Sequence, residues 1–201
     1  MTLKRAVDVI LSTIGAVFLI PVWLPVALAI KLDSPGPVLH RAVRVGINGE
    51  HFVLYKFRTM AADAVATGPG ITRRGDPRIT RLGRLLRSLK LDETPQLINV
   101  IRGDMSLVGP RPEDPRYVLG YSPEQRRVLT VRPGLCSLAT VKYRHEEALL
   151  ANSDDPENTY VHVVLPDKLR MDLEYIDHRS LPGDLGILIR SLLSILGRSP
   201  Q

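Results

Sequence analysis

The chain holds a single cysteine, Cys136, among 201 residues. An internal disulfide is therefore excluded, and such usage suits a reducing compartment. Its five histidines are scattered, and neither C-x-x-C nor H-E-x-x-H occurs, which argues against a zinc centre. Aromatic residues make up only 5%, thin for a surface that stacks on single-stranded bases. Acidic charge is also short: 21 Asp and Glu against 27 Lys and Arg leave a formal net charge of +6. Anionic partners follow, namely acidic lipid, phosphorylated substrate or nucleic acid. No internal repeat or low-complexity tract is present. The length fits one domain with a modest core.

What is abundant is apolar sequence near the start. The run 6–30 is long enough to cross a bilayer as a helix, which needs about 20 residues. Pro21 and Pro25 interrupt it, and in a helix each would free a carbonyl four residues back. Asp8 lies near its start, within reach of the interface beside Lys4 and Arg5. Both flanks are basic, with Lys4 and Arg5 before and Lys31, Arg41 and Arg44 after. If basic flanks both stay cytoplasmic, the segment dips in and returns as a helix-break-helix hairpin over residues 1–32. A straight transmembrane anchor is the plainer alternative. A cleaved signal peptide with Ala27-Leu28-Ala29 as its small-x-small site is another, opposed by Asp8. A buried core helix would need a larger domain.

Ser34-Pro35-Gly36-Pro37 stops that segment. Residues 38–45 and 52–58 read as a β-hairpin turned at Asn48-Gly49, which would set Arg41 opposite Lys56 and put Arg58 on the same face. Residues 61–76, rich in Ala, Gly and Thr, read as a mobile loop or lid. Residues 79–89 read as an amphipathic helix, with Arg81, Arg84 and Arg87 opposite an apolar face, suited to an anionic membrane or to core packing. A short helix follows over 97–101, with Thr94 as cap and Pro95 at its first position. Gly109-Pro110-Arg111-Pro112 and Arg132-Pro133-Gly134 are rigid turns, each carrying an arginine. The acidic stretch in 143–160 reads as surface loop and helix, and 167–176 and 185–196 as further helices.

The chemistry points to Leu91-Asp92-Glu93-Thr94-Pro95-Gln96. Two adjacent carboxylates repel, and each resists ionising beside the other. Around them Arg78, Arg81, Arg84, Arg87, Lys90, Arg102 and Arg111 are basic. A helix start just after the pair favours negative charge and would also welcome a phosphate. A carboxylate can bind a divalent ion that neutralises phosphate, or serve as the nucleophile and form an acyl phosphate. The residues themselves do not say which of Asp92 and Glu93 does which. An acidic pair alone is common at helix starts, so the surroundings decide its weight.

Those surroundings carry seven motifs in order. They are Lys4-Arg5-Ala6-Val7-Asp8, Asp33-Ser34-Pro35-Gly36-Pro37-Val38, Arg44-Val45-Gly46, Tyr55-Lys56-Phe57-Arg58-Thr59-Met60, Ser88-Leu89-Lys90-Leu91-Asp92-Glu93-Thr94-Pro95-Gln96, Gly103-Asp104-Met105-Ser106-Leu107-Val108-Gly109-Pro110-Arg111-Pro112 and Arg132-Pro133-Gly134. Across nearly its whole length the chain resembles the bacterial sugar transferases of the monotopic phosphoglycosyl transferase kind. The resemblance implies a membrane enzyme that moves a sugar-1-phosphate from a UDP-sugar to a polyprenyl phosphate, releasing UMP. It implies a covalent phosphosugar on Asp92 and magnesium on Glu93. Lys56, Arg58, Arg87, Arg111 and Arg132 would bind substrate phosphates, and Asp184 matches a further polar position. It also implies a re-entrant helix broken at Pro21. Departures occur at Leu135-Cys136-Ser137-Leu138-Ala139-Thr140-Val141, where family members carry Ala-Gln-Val, and at Ile20, where Ser is common. They leave the sugar open.

The expectation is therefore an α+β, mostly helical protein. It has a re-entrant membrane hairpin over residues 1–32 and one catalytic domain over 33–201, with a small β-hairpin and amphipathic interface helices. It would sit on the cytoplasmic face of the inner membrane among membrane lipids, with magnesium as cofactor and no nucleic acid as partner. Monomer and homodimer both fit. A membrane-tethered nucleic-acid binder or a scaffold without catalysis is the rival reading, motivated by the basic 79–89 helix.

Overall fold

The computed structural model describes residues 2–61, 71–72, 75–195 and 197. Most of the 61–76 segment, read above as a lid, lies outside them. The fold is mostly helical with two small sheets. It opens with α1 (Leu3–Asp33), followed by the hairpin strands β1 (Leu39–Val45) and β2 (His51–Phe57). Then come α2 (Arg81–Ser88), α3 (Gln96–Arg102) and β3 (Ser106–Val108). After α4 (Pro115–Val118), β4 (Gly134–Cys136) pairs in parallel with β3. The chain closes with α5 (Leu138–Lys142), α6 (Glu146–Ala151), α7 (Pro156–Thr159), α8 (Leu165–His178) and α9 (Leu181–Ile195).

Helix α1 runs through both prolines as one 31-residue element, so the break expected at Pro21 does not interrupt it. Packing carries it past the two missing N–H donors. Lys4, Asp8, Ser12, Ala16, Leu19, Trp23, Val26 and Ile30 recur three to four residues apart and turn toward the domain. Trp23, between the prolines, donates from Nε1 to the Thr94 hydroxyl at 2.9 Å and meets the Phe57 ring edge-on at 6.4 Å. Asp8 is not at an interface as expected. It is 5% exposed, and its carboxylate accepts from the Ser106 hydroxyl at 2.8 Å and the Leu107 N–H at 3.2 Å. Asp8→Ala would leave the buried Leu107 N–H without an acceptor and the Ser106 hydroxyl with only the Val108 carbonyl, a loss of about 1–3 kcal/mol. A lowered melting temperature in detergent checks it.

The other face of α1 is apolar and open: Phe18 is 78% exposed and Leu32 79%. The helix is long and apolar enough to cross a membrane. Leu85 and Leu89 at α2, and Leu185, Ile189 and Leu192 on α9, are likewise exposed. Apolar surface this extensive marks contact with lipid or a partner.

The hairpin forms in a register one residue from the expected one. Lys56 faces His40, and Arg41 faces Tyr55. The two-residue turn is replaced by a five-residue connection, 46–50, with Asn48 and Gly49 both left-handed at φ 57° and 80°. That slip moves Arg41 to the face opposite Lys56. Helix α2 starts two residues later than the periodicity predicts, because Thr80 caps it by accepting from the Gly83 N–H at 2.9 Å. Ile79 is instead bridged to Met60.

The β3–β4 pair explains two of the glycine-proline turns. A Cβ on Gly134 would stand 2.1 Å from the Gly109 nitrogen, so the backbones meet where no side chain fits. Gly134 N–H donates to the Pro110 carbonyl at 2.7 Å. The two turns thus brace each other and fix the start of the segment that carries Arg111.

Candidate active site

Asp92 and Glu93 lie in a 3₁₀ turn, Leu91–Glu93, immediately before α3. The turn is entered through Lys90 in a left-handed conformation, φ 56°. Thr94 does not cap α3 as expected. Its hydroxyl is spent on the Trp23 indole and on the Leu91 carbonyl, the latter at 2.7 Å. Pro95 holds the helix start instead, without a side-chain cap. The acidic turn is thus pinned from below by α1.

Asp92 is 7% exposed, and its Oδ1 has no hydrogen-bond partner among the described residues. Burial raises its carboxyl above the usual range, the charge of Glu93 adds to that, and Lys56, Arg87 and Lys90 oppose it. Glu93 differs. Burial alone would raise it too, but Arg111 and then Lys56 outweigh burial and hold it far below the usual range. Its carboxylate takes Arg111 in a fork, Oε1 to Nη2 at 2.5 Å and Oε2 to Nη1 at 3.5 Å. Glu93 in turn keeps the guanidinium firmly charged. Two adjacent carboxylates therefore sit in opposite electrostatic settings, one paired and one open.

Lys56 reaches this pair from β2. Burial brings its ammonium down to about 8, with Arg111 and Arg44 adding to the fall and Glu93 and Asp92 resisting it. Asn99 on α3 sets the strand's position: its side chain accepts from the Tyr55 N–H at 3.1 Å and donates to the Val53 carbonyl at 2.7 Å. Arg87 at the end of α2 acts on Asp92 through its charge while donating to Thr59 at 2.9 Å and to Glu147 at 2.7 Å. The acidic 143–160 stretch is thus not only surface, since Glu147 of α6 covers a site arginine and Glu146 pairs with the buried Lys168.

Five of the expected residues come together: Asp92, Glu93, Lys56, Arg87 and Arg111. Three do not. Arg58 is buried, and its terminal nitrogens donate to the Pro35, Ser34 and Ile30 carbonyls, closing the end of α1. Expected on a substrate phosphate, Arg58 here supplies donors to the carbonyls that end α1, the Ile30 carbonyl also accepting from the Ser34 N–H at 3.4 Å. Asp184 accepts from Lys4 and Tyr175, at 2.6 and 2.7 Å, and holds α9 to the start of α1. Arg132 is exposed, donates to the Gly103 carbonyl at 2.9 Å and lines a separate cleft with Asp184. Pro21 stays inside α1.

One residue near the site had no signal in the sequence. Asp172 on α8 is buried and accepts from the Arg111 backbone N–H, and burial pushes its carboxyl up to about 8. Beside it, Glu113 accepts from the Tyr160 hydroxyl at 2.7 Å, and the Lys168 ammonium lies 4.9 Å over the Tyr160 ring. This polar layer neighbours Arg111, whose charge Glu113 also supports.

Among the described residues no group of three or more His, Cys, Asp or Glu could enclose a cation. A divalent ion here would draw most ligands from phosphate and water, as magnesium commonly does. The donors fit that: the open Asp92 oxygen, and a Glu93 carboxylate with lone pairs beyond those given to Arg111.

The family model of the bacterial sugar transferases matches residues 1–198. A UDP-glucose:undecaprenyl-phosphate glucose-1-phosphate transferase of Caulobacter vibrioides is 40% identical over 96% of this chain and 69% of its own length. An exopolysaccharide production protein PSS of Rhizobium leguminosarum is 37% identical over 98% of this chain and 97% of its own. A UDP-N-acetylgalactosamine-undecaprenyl-phosphate N-acetylgalactosaminephosphotransferase of Aeromonas hydrophila is 35% identical over 96% of this chain, which spans 44% of that relative. With the acidic turn, its arginine fork and the braced glycine-proline turns all in place, the chain belongs to the bacterial sugar transferase family.

Proposed function

We propose that this protein transfers a sugar-1-phosphate from a UDP-sugar to a polyprenyl phosphate through a covalent intermediate on Asp92. One observation supports it above the rest: Asp92 is a buried carboxylate with an open oxygen, ringed by cations, beside a carboxylate already committed to arginine. The relatives named for undecaprenyl-phosphate transfer supply the substrate class.

In the first half-reaction an Asp92 oxygen attacks the phosphorus that carries the sugar. The bond to the bridging oxygen breaks, UMP leaves with that electron pair, and an acyl phosphate forms. In the second, an oxygen of the polyprenyl phosphate attacks the same phosphorus and Asp92 departs as carboxylate. Polyprenyl diphosphosugar is the product. Lys56, Arg87 and Arg111 neutralise the phosphoryl oxygens as charge shifts. Arg87 would first exchange Glu147 for phosphate. Magnesium held by Glu93 and the diphosphate would supply further neutralisation when bound. Glu93 orients Arg111, so removing either acts on both.

The apolar face of α1 supports a site at headgroup level, where the lipid phosphate would meet Asp92 without leaving the interface. A re-entrant course with both ends cytoplasmic remains our reading of the basic flanks. The nucleic-acid and scaffold readings do not account for the acidic turn.

The pH profile should carry the site's signature. Below the raised Asp92 value the nucleophile is protonated and kcat/KM falls. Above about pH 8 Lys56 loses its proton and KM for the UDP-sugar rises. Lys56→Arg should remove the alkaline limb, and an unchanged limb in that variant would move the assignment elsewhere. The activity itself is tested by UMP release across a panel of UDP-sugars in nanodiscs with polyprenyl phosphate, with and without magnesium. Release with one sugar is expected. Silence across the panel would overturn the reading.

A further inference from the structure

Away from the acidic turn lies a cleft of about 410 Å³, walled by the beginnings of α1 and α9 and by β3. Lys4, Arg5, Arg132 and Arg179 line it, with Thr2 and Ser180 at the two helix starts. Its two carboxylates are already covered, Asp8 by Ser106 and the Leu107 N–H, Asp184 by Lys4 and Tyr175. Arg5 is spent on the Val100 and Ile101 carbonyls, at 2.6 and 3.0 Å. Arg132 uses only its Nε within the fold, and Arg179 makes no hydrogen bond or ion pair among the described residues. Two guanidiniums are thus left at the mouth.

The walls say which anion suits them. Leu3 is 69% exposed, and Val7, Ile10 and Ile14 continue that apolar stripe along α1. On α9, Leu185, Ile189 and Leu192 form a second stripe at helical spacing. A basic cleft whose two walling helices both carry open apolar faces suits an amphiphile with an anionic head.

We propose that this cleft seats the phosphodiester head of an anionic phospholipid, with Arg132 and Arg179 on the phosphate and the acyl chains along α1 and α9. The bound lipid is neither donor nor acceptor in the transfer; it orients the α1–α9 end on the bilayer. Basic side chains gain roughly fivefold affinity each at an anionic surface, so losing two costs about 30-fold.

Native mass spectrometry of the full chain in detergent, offered phosphatidylglycerol or phosphatidylcholine in equal amounts, tests this. The protein should retain phosphatidylglycerol preferentially, and Arg132→Gln with Arg179→Gln should lose that retention by about 30-fold. Arg170→Gln, on α8 and outside the cleft, should keep it. Arg179→Gln alone, at an exposed position without partners, guards against misfolding and should show a partial loss. Equal retention of phosphatidylcholine would overturn the proposal, as would unchanged retention in the double variant. Displacement of the lipid by millimolar glycerol phosphate would also overturn it, by assigning the cleft to a soluble phosphate. The readout needs no turnover, so failure of the transferase reading leaves it separately testable.

Discussion

Asp92→Asn is expected to abolish transfer, lowering kcat by about 10⁴-fold or more, the scale of removing a covalent nucleophile. The amide keeps the shape and removes the nucleophilic charge. Burial and Glu93 already oppose ionisation at this position, so the fold should lose nothing. The melting temperature should hold or rise. Mass spectrometry of wild-type protein given UDP-sugar without acceptor should find a phosphosugar mass on the peptide holding position 92, and the variant should lack it. Full turnover in the variant, or an adduct that maps to Glu93, would defeat the assignment. The second outcome has a physical argument against it, since Glu93 is held by the Arg111 fork.

Arg111→Met should have the next largest effect, and on two quantities together. Catalysis should fall by about 10³-fold, as when an arginine that neutralises phosphoryl charge is lost. Stability should fall as well, because Glu93 keeps its charge in a half-buried setting without its partner. Breaking such a pair costs about 3–5 kcal/mol when it is fully buried, so a somewhat smaller loss is expected here. Arg111→Met with Glu93→Gln should recover much of the stability and none of the activity. That split separates the fork's structural part from its chemical part. Near-normal kcat/KM in Arg111→Met would remove the arginine from the site.

The acidic turn was legible because its signal is local. Adjacent Asp92 and Glu93, with Lys90 before and Arg111 soon after, need only a tight turn to become a cluster, and the turn lies in the same motif. Lys56 was legible as a strand residue, but not its cross-strand partner. The register depended on two left-handed residues in a five-residue connection, which the Asn-Gly pair does not distinguish from a two-residue turn. Arg58 reads in the sequence as a second phosphate ligand because it is a cation one period from Lys56. Its destination, the carbonyl end of α1, is set by tertiary packing. Asp172 and Asp184 illustrate the same limit. Each reaches its partner across a large sequence separation, Arg111 in one case and Lys4 in the other, and nothing nearby in the chain announces it. The β3–β4 pair is only three residues on each side, and its glycines were read as turns alone.

The contact stripe of α1 has a practical side. From Lys4 to Ile30 the helix forms one wall of the enzyme, covering Leu97, Val108, Ile187 and Phe57 along its path. The helix is integral to the domain it packs on. Cutting the chain after Ser34 to obtain a water-soluble catalytic fragment would strip the floor from under the acidic turn, taking Trp23 from Thr94 and the Ile30 carbonyl from Arg58. Solubilising strategies should instead repaint the outward positions, such as Phe18, Leu24, Leu28 and Leu32, and leave the inward ones alone.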